Sequence, residues 1–113
     1  MSLSITARDD GPALVVGLTG DLDASTAPQL DALVLPAIDG GRRLLVFDLS
    51  GLRYLSSAGL SSFLVAYRRL RGRGALRFAG LNRQVRQLFD STAMTVRVDL
   101  FPTLADALAV PAA

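Results

Sequence analysis

The hydrophobic pattern changes period within one stretch of this chain, and that change limits the folds open to it. From Leu44 to Leu70 the sequence reads LLVFDLSGLRYLSSAGLSSFLVAYRRL. Leu44, Leu45, Val46 and Phe47 form a short continuous apolar run, the mark of a strand buried on both faces. Leu60, Phe63, Leu64, Tyr67 and Leu70 then recur at spacings of three and four, one face of a helix. The pair Ser56-Ser57 stands at the junction, at or just before the helix's first turn. Backbone N–H groups there lack partners inside the helix, and the macrodipole favours negative charge. A hydroxyl at this place can cap the helix, or it can carry a phosphate that the helix end tolerates.

The rest of the chain repeats this alternation. Leu3–Ala7 and Ala13–Leu18 read as short strands joined by the turn Arg8-Asp9-Asp10-Gly11-Pro12, an antiparallel hairpin. Gly20-Asp21-Leu22-Asp23 reads as a polar loop, and Ser25 or Thr26 can cap a first helix with Pro28 in its first turn. Ala27, Leu30, Leu33, Val34 and Ala37 supply that helix's apolar face, and Pro36 predicts a kink or an end near Leu35. Asp48 is expected to terminate the central strand and bond the turn that follows. After the serine-capped helix come a loop at Arg71-Gly72-Arg73-Gly74 and a strand at Ala75–Ala79. A short helix follows, capped by Asn82, with Val85, Leu88 and Phe89 inward. Thr95–Val98 reads as the last strand, and Thr103 caps a closing helix with Leu104 and Leu108 inward. The order β-β-α-β-α-β-α-β-α predicts an α/β fold: one mixed, mostly parallel sheet, hairpin first, packed with about four helices.

Composition excludes whole classes of chemistry. Half of the 113 residues are apolar and 19% are charged, so the chain can build one core and is not disordered. One domain over residues 1–113 is expected, with no internal repeat or linker. Without cysteine there is no disulfide, thiol nucleophile or Cys-ligated zinc. Without histidine the usual general base and the Ser-His-Asp triad are missing. We therefore expect no enzyme, no cofactor and no metal. The net charge of +2 does not call for a polyanion partner. No apolar run is long enough to span a bilayer. The start, MSLSITARDDGP, lacks the basic and apolar regions of a signal peptide, so a cytoplasmic protein is expected.

The residues Asp48-Leu49-Ser50-Gly51-Leu52-Arg53-Tyr54-Leu55-Ser56-Ser57-Ala58-Gly59-Leu60 resemble the strand–turn–phosphoacceptor–helix signature of the STAS domains of the anti-sigma factor antagonist family. Leu18-Thr19-Gly20-Asp21-Leu22-Asp23 with Ser25-Thr26-Ala27 is similar to that family's loop before the first helix. Val85-Arg86-Gln87-Leu88-Phe89-Asp90 resembles its short helix before the last strand. The resemblance spans essentially the whole chain. It implies a STAS-like domain that binds an anti-sigma factor and so frees a sigma factor. The anti-sigma factor would also be a serine kinase that inactivates the antagonist by phosphorylating one serine, and a serine phosphatase would restore it. The acceptor aligns with Ser57, with Ser56 as the alternative, since Ser56 stands where the family usually has Asp and Ala58 where Ser or Thr is usual. Asp21, Asp23, Ser56, Ser57, Ala58 and Gly59 are the implied partner-binding residues.

Other readings of these residues stay open at this level. Ser57 could be a helix cap only, Ser56 a cap or turn residue, and Asp21 and Asp23 Asx-turn formers. Asp48 near Ser57 could be a general base, although no companion residue supports it. Arg68, Arg69, Arg71, Arg73 and Arg77 read either as a solvated helix end or as a surface for an acidic protein. Direct nucleic-acid binding lacks aromatic interleaving. Two further functions fit the same frame. One is a non-phosphorylated STAS accessory subunit of a membrane transport complex; the other is a small-ligand or nucleotide-binding STAS module, which would lack GxxxxGK[ST] and GxGxxG. A monomer or weak dimer, without membrane insertion, is expected.

Overall fold

The computed structural model describes residues 2–111. Two strands open the chain, β1 (Leu3–Asp10) and β2 (Ala13–Leu22), paired antiparallel with Asp10 beside Ala13. Only Gly11 and Pro12 lie between them, and Gly11 takes the positive φ of +56° that a tight reversal needs. Helix α1 (Ala27–Asp39) leads to β3 (Leu44–Leu55), α2 (Ser57–Leu70) to β4 (Ala75–Ala79), and α3 (Arg83–Ser91) to β5 (Asp99–Phe101). Helix α4 (Leu104–Ala109) closes the described chain. The five strands stand in chain order in one sheet, and β2 through β5 run parallel. The expected mixed α/β architecture is the one observed.

Chain order in the sheet decides where the helices go. Each parallel crossover steps to the next position in the same direction, and right-handed crossovers then put their helices on one face. The buried residues of α1, α2 and α3 accordingly share one core with the sheet. At its centre Phe47, Phe63, Phe78 and Phe89 are fully buried, with ring centroids 4.8 to 6.0 Å apart. Edge-to-face and offset pairs of this kind add about 0.5–1.5 kcal/mol each beyond area burial. The opposite face holds a smaller cluster, where α4 covers Ala13, Val15, Leu44, Val46 and Ala79.

Several boundaries differ from the sequence-based expectation. Helix α1 does not end near Leu35; it passes through Pro36 to Asp39. Leu30, Val34 and Ile38 continue a buried stripe at a spacing of four, and burying Ile38 is worth about 1.5–3 kcal/mol, which offsets the bond lost at the proline. The stretch expected as a polar loop at Gly20–Leu22 belongs to β2, with Leu22 fully buried. Asp48 does not terminate β3. The strand continues seven residues further, to Leu55, and Asp48 instead accepts a bond from the Ser50 amide at 3.1 Å within an irregular stretch. Gly17 pairs with Asp48 but Thr19 with Gly51, and Gly20 pairs with Leu52 but Asp21 with Tyr54, so β3 carries two bulges. Thr95–Val98 is not a strand. Ala93 adopts a left-handed φ of 61°, and Met94–Val96 form a 3-10 turn. That turn buries Met94 and Val98, four residues apart, and leaves Val96 83% exposed, whereas a strand would have put Val96 and Val98 on one face.

Candidate functional site

The bulged half of β3 projects past the end of β4, which pairs only as far as Asp48. Its exposed edge needs other partners, and helix α3 provides them. The Gln84 side chain accepts from the Leu55 amide at 2.9 Å and donates to the Leu55 carbonyl at 2.8 Å. Asn82 donates to the carbonyls of Leu52 and Arg53, both at 3.1 Å, while its oxygen caps α3 at Val85. Two amide side chains thus replace a neighbouring strand and fix the level at which β3 stops. Neither residue's bonding to β3 was anticipated from the sequence. Their amide groups, able to donate and accept at once, were the available signal.

At that level the chain turns into α2, and the two serines separate in role. Ser56 keeps an extended backbone (φ −92°, ψ 168°), and its Oγ accepts from the Gly59 amide at 3.1 Å. It is the N-cap. Ser57 is the first residue of α2; its side chain is exposed, and its hydroxyl has no hydrogen-bond partner among the described residues. The neighbouring Ala58 is exposed as well. The amides of Ser57 and Ala58 point out of the first turn without an intrahelical acceptor.

The loop before α1 forms the adjoining wall. Asp23 Oδ1 accepts from the Ser25 hydroxyl at 2.6 Å, the Ser25 amide at 2.9 Å and the Thr26 amide at 3.2 Å. These bonds, led by the Ser25 hydroxyl, hold the Asp23 carboxyl below its ordinary pKa of 3.8. Thr26, buried, accepts from the Asp23 amide at 3.0 Å and donates to the Asp21 carbonyl at 2.9 Å. Thr26 takes the N-cap position of α1 but makes no side-chain cap bond to it, because its hydroxyl is spent on the preceding turn, which Asp23 closes as an Asx turn. Backbone contacts join this loop to the serine turn: the Ser56 amide donates to the Leu22 carbonyl at 3.0 Å. A Cβ on Gly59 would lie 2.4 Å from the same carbonyl, so only glycine lets α2 seat there.

Of the six residues expected to contact a partner, Asp23, Ser56, Ser57 and Ala58 form one partly exposed face. Asp21 and Gly59 are buried beneath it, as supports rather than surface. Asp21 also pairs with Arg53 at 3.4 Å. Tyr54, 42% exposed next to Arg53 on β3, adds an aromatic that the sequence reading did not single out. On the α2 side, Ser57 opens onto a groove of about 250 Å³ lined by Leu60, Ser61, Leu64, Arg68 and Arg97. Asp48 is engaged with Ser50 at the bulge.

The arginine group read from the sequence divides. Arg69 pairs with Asp39 at 2.7 Å, and Arg77 is buried on the far face of the sheet, under α4. Arg77 is no part of a solvated helix end. Among the described residues no helix is long and apolar enough to cross a membrane.

A single mixed sheet with three helices on one face, and an exposed serine at the start of the helix after the central strand, defines a small α/β domain. The STAS domain family model matches residues 4–107. BtrV of Bordetella bronchiseptica, named provisionally as an anti-sigma factor antagonist, is 34% identical over 90 residues, 79% of this chain and 75% of that protein. The crystal structure of an anti-sigma factor antagonist from Mycobacterium paratuberculosis superposes with a TM-score of 0.89 at 28% identity, covering 96% of this chain and 92% of the other. SpoIIAA of Bacillus, solved in unphosphorylated and phosphorylated forms, shares the fold with a TM-score of 0.76 at 17% and 19% identity; 94% of this chain is covered, and 94% and 97% of the two structures. The chain belongs to the STAS domain family, among the anti-sigma factor antagonists.

Proposed function

We propose that this protein binds a cognate anti-sigma factor through the face made by Asp23, Ser56, Ser57 and Ala58, and that phosphorylation of Ser57 ends the complex. The anti-sigma factor is then also the serine kinase, its capture frees a sigma factor, and a serine phosphatase resets the switch. The protein acts by binding in the cytoplasm and performs no catalysis itself. One observation carries this reading: the Ser57 hydroxyl is exposed and unengaged, while the cap is made by Ser56. Modification at Ser57 therefore costs the fold no hydrogen bond. SpoIIAA, which shares this fold, is known in unphosphorylated and phosphorylated forms, which supports a phosphorylation switch on a domain of this fold.

Physical chemistry gives the direction of the switch. A phosphate adds about −1.5 to −2 charges at pH 7. The free amides of the first turn and the helix dipole accommodate it, so the fold persists. A docked partner does not accommodate it, because added bulk and charge in an interface leave desolvation uncompensated. A loss of about 2.7 kcal/mol already lowers affinity roughly a hundredfold.

Pull-down from the native host with mass spectrometry identifies the partner and the modified serine together. Ser57→Glu is expected to weaken binding to the captured anti-sigma factor at least tenfold, while Ser57→Ala binds normally and resists the kinase. Equal binding by Ser57→Glu, or phosphate found on Ser56 alone, would refute the assignment.

A further inference from the structure

The end of the sheet opposite the serine turn carries a second charged surface. Strand β3 starts at Leu44 and finishes at Leu55, so the connection before Leu44 lies far from Ser56. Leu44 pairs in parallel with Ala75, which brings the 71–74 connection to the same end. The two connections are laced at the backbone. The Ala75 amide donates to the Arg43 carbonyl at 2.8 Å, and a Cβ on Gly74 would lie 2.0 Å from that oxygen. Arg43 and Arg73 therefore stand on a fixed base.

Two adjoining grooves, of about 440 and 350 Å³, share Arg43, Gly72 and Arg73 in their walls. The first has an aliphatic floor of Pro12, Leu44 and Ala75. The second includes Arg42 and Asp39. These last two are engaged elsewhere, Arg42 with Asp9 and Asp39 with Arg69. Arg43 and Arg73 are exposed, and neither has a carboxylate at ion-pair distance among the described residues. Two guanidinium forks beside an aliphatic floor match a chain that carries carboxylates and short apolar side chains together. No aromatic side chain lines either groove, so the stacking platform that single-stranded nucleic acid uses is missing.

We propose that this end is a second docking surface for an acidic protein segment, whose carboxylates pair with Arg43 and Arg73 while its apolar residues cover Pro12 and Ala75. The surface lies at the other end of β3 from the serine turn, well beyond the roughly 8 Å over which charges are felt at physiological salt. It stays open when the serine turn is occupied, and a phosphate on Ser57 does not weaken it. The protein can then hold two partners at once, with only one of them under phosphorylation control.

The test uses the full ¹⁵N-labelled chain and a short synthetic peptide of Asp, Glu and Leu, with an Asn/Gln/Leu peptide of equal length as control. Amide shifts confined to residues 41–44 and 72–75, absent with the neutral peptide, support the proposal. Affinity should fall about tenfold or more in Arg43→Gln/Arg73→Gln, a surface change that keeps the melting temperature, and should be unchanged in Ser57→Asp. Shifts that centre on the serine turn or spread over all exposed arginines overturn it. So does equal affinity of the double variant, or tighter binding at these residues by a single-stranded oligonucleotide of matching charge.

Discussion

Ser56 and Ser57 are chemically identical neighbours whose backbones differ by one helical residue, and that difference assigns their roles. The hydrophobic period of the sequence is enough to place both at the strand–helix junction. It does not say which hydroxyl turns back on the first turn, because that depends on which residue keeps extended φ and ψ. Ser56 does, and its Oγ reaches the Gly59 amide. Ser56→Ala is therefore expected to lower unfolding free energy by about 1 kcal/mol, and Ser57→Ala to leave it unchanged, in denaturant titrations. The same scale governs Asp23. Its carboxylate is held charged chiefly by the Ser25 hydroxyl, so its folded pKa lies below 3.8. Folding thus favours the ionised form: the contribution is present above the unfolded pKa and fades as pH falls through the lower folded value. In Ser25→Ala the Asp23 pKa should rise toward 3.8, read by carboxyl NMR titration; an unmoved value would assign the shift to the backbone amides instead.

At the level of elements, the turn-like residues Asp48-Leu49-Ser50-Gly51 illustrate what one-dimensional patterns leave out. They carry every local signal of a chain reversal, yet β3 runs through them with two bulges against β2. Gly51 explains part of this, since a Cβ there would stand 2.6 Å from Thr19 Oγ1 and 3.0 Å from the Leu18 carbonyl. Close approach of two strands, not a turn, is what this glycine permits. The β5 boundary slipped for a related reason: Thr95–Val98 has strand propensity, but Met94 and Val98 are buried together at helical spacing. Only tertiary packing chooses between those patterns. The support given to β3 by α3 was equally hidden, because a glutamine in a helix's first turn reads as solvent-facing. Gln84→Leu should leave the Leu55 amide and carbonyl unpaired and lower stability by about 1–3 kcal/mol. Hydrogen exchange should quicken first at Leu55 and Ser56. A uniform loss across the sheet would mean that Gln84 is a general core contact rather than an edge substitute.

Across the whole molecule, the alternation of periods was enough to give the element order and a mixed, mostly parallel sheet opened by a hairpin, while the order of the strands within the sheet came from the structure. What escaped was the second face. Along β4 the side chains alternate, Leu76 and Phe78 toward the aromatic core and Arg77 toward α4, so an arginine from a basic-looking stretch is 5% exposed. Its guanidinium donates to the carbonyls of Ala107 at 2.8 Å, Val110 at 2.7 Å and Pro111 at 3.0 Å, the open acceptors at the end of α4. The group also lies 5.9 Å from the centre of the Phe101 ring. With six residues, α4 cannot hold its shape alone, so these bonds and the burial of Ala107 fix it on the sheet. Arg77→Met keeps most of the apolar stem but leaves those carbonyls unpaired. Hydrogen bonds to a charged donor contribute about 1.5–3 kcal/mol, and the loss should lower the melting temperature by roughly 10 °C. Because α1, α2 and α3 pack on the opposite face, the loss should be local: amide protection falls over 104–110 and holds at Phe47, Phe63 and Phe78. Binding at the serine turn should then be unaffected, since neither α4 nor Arg77 touches Asp23, Ser57 or the caps that seat them. Protection lost equally on both faces would instead make Arg77 a keystone of the sheet, and the two faces one cooperative unit.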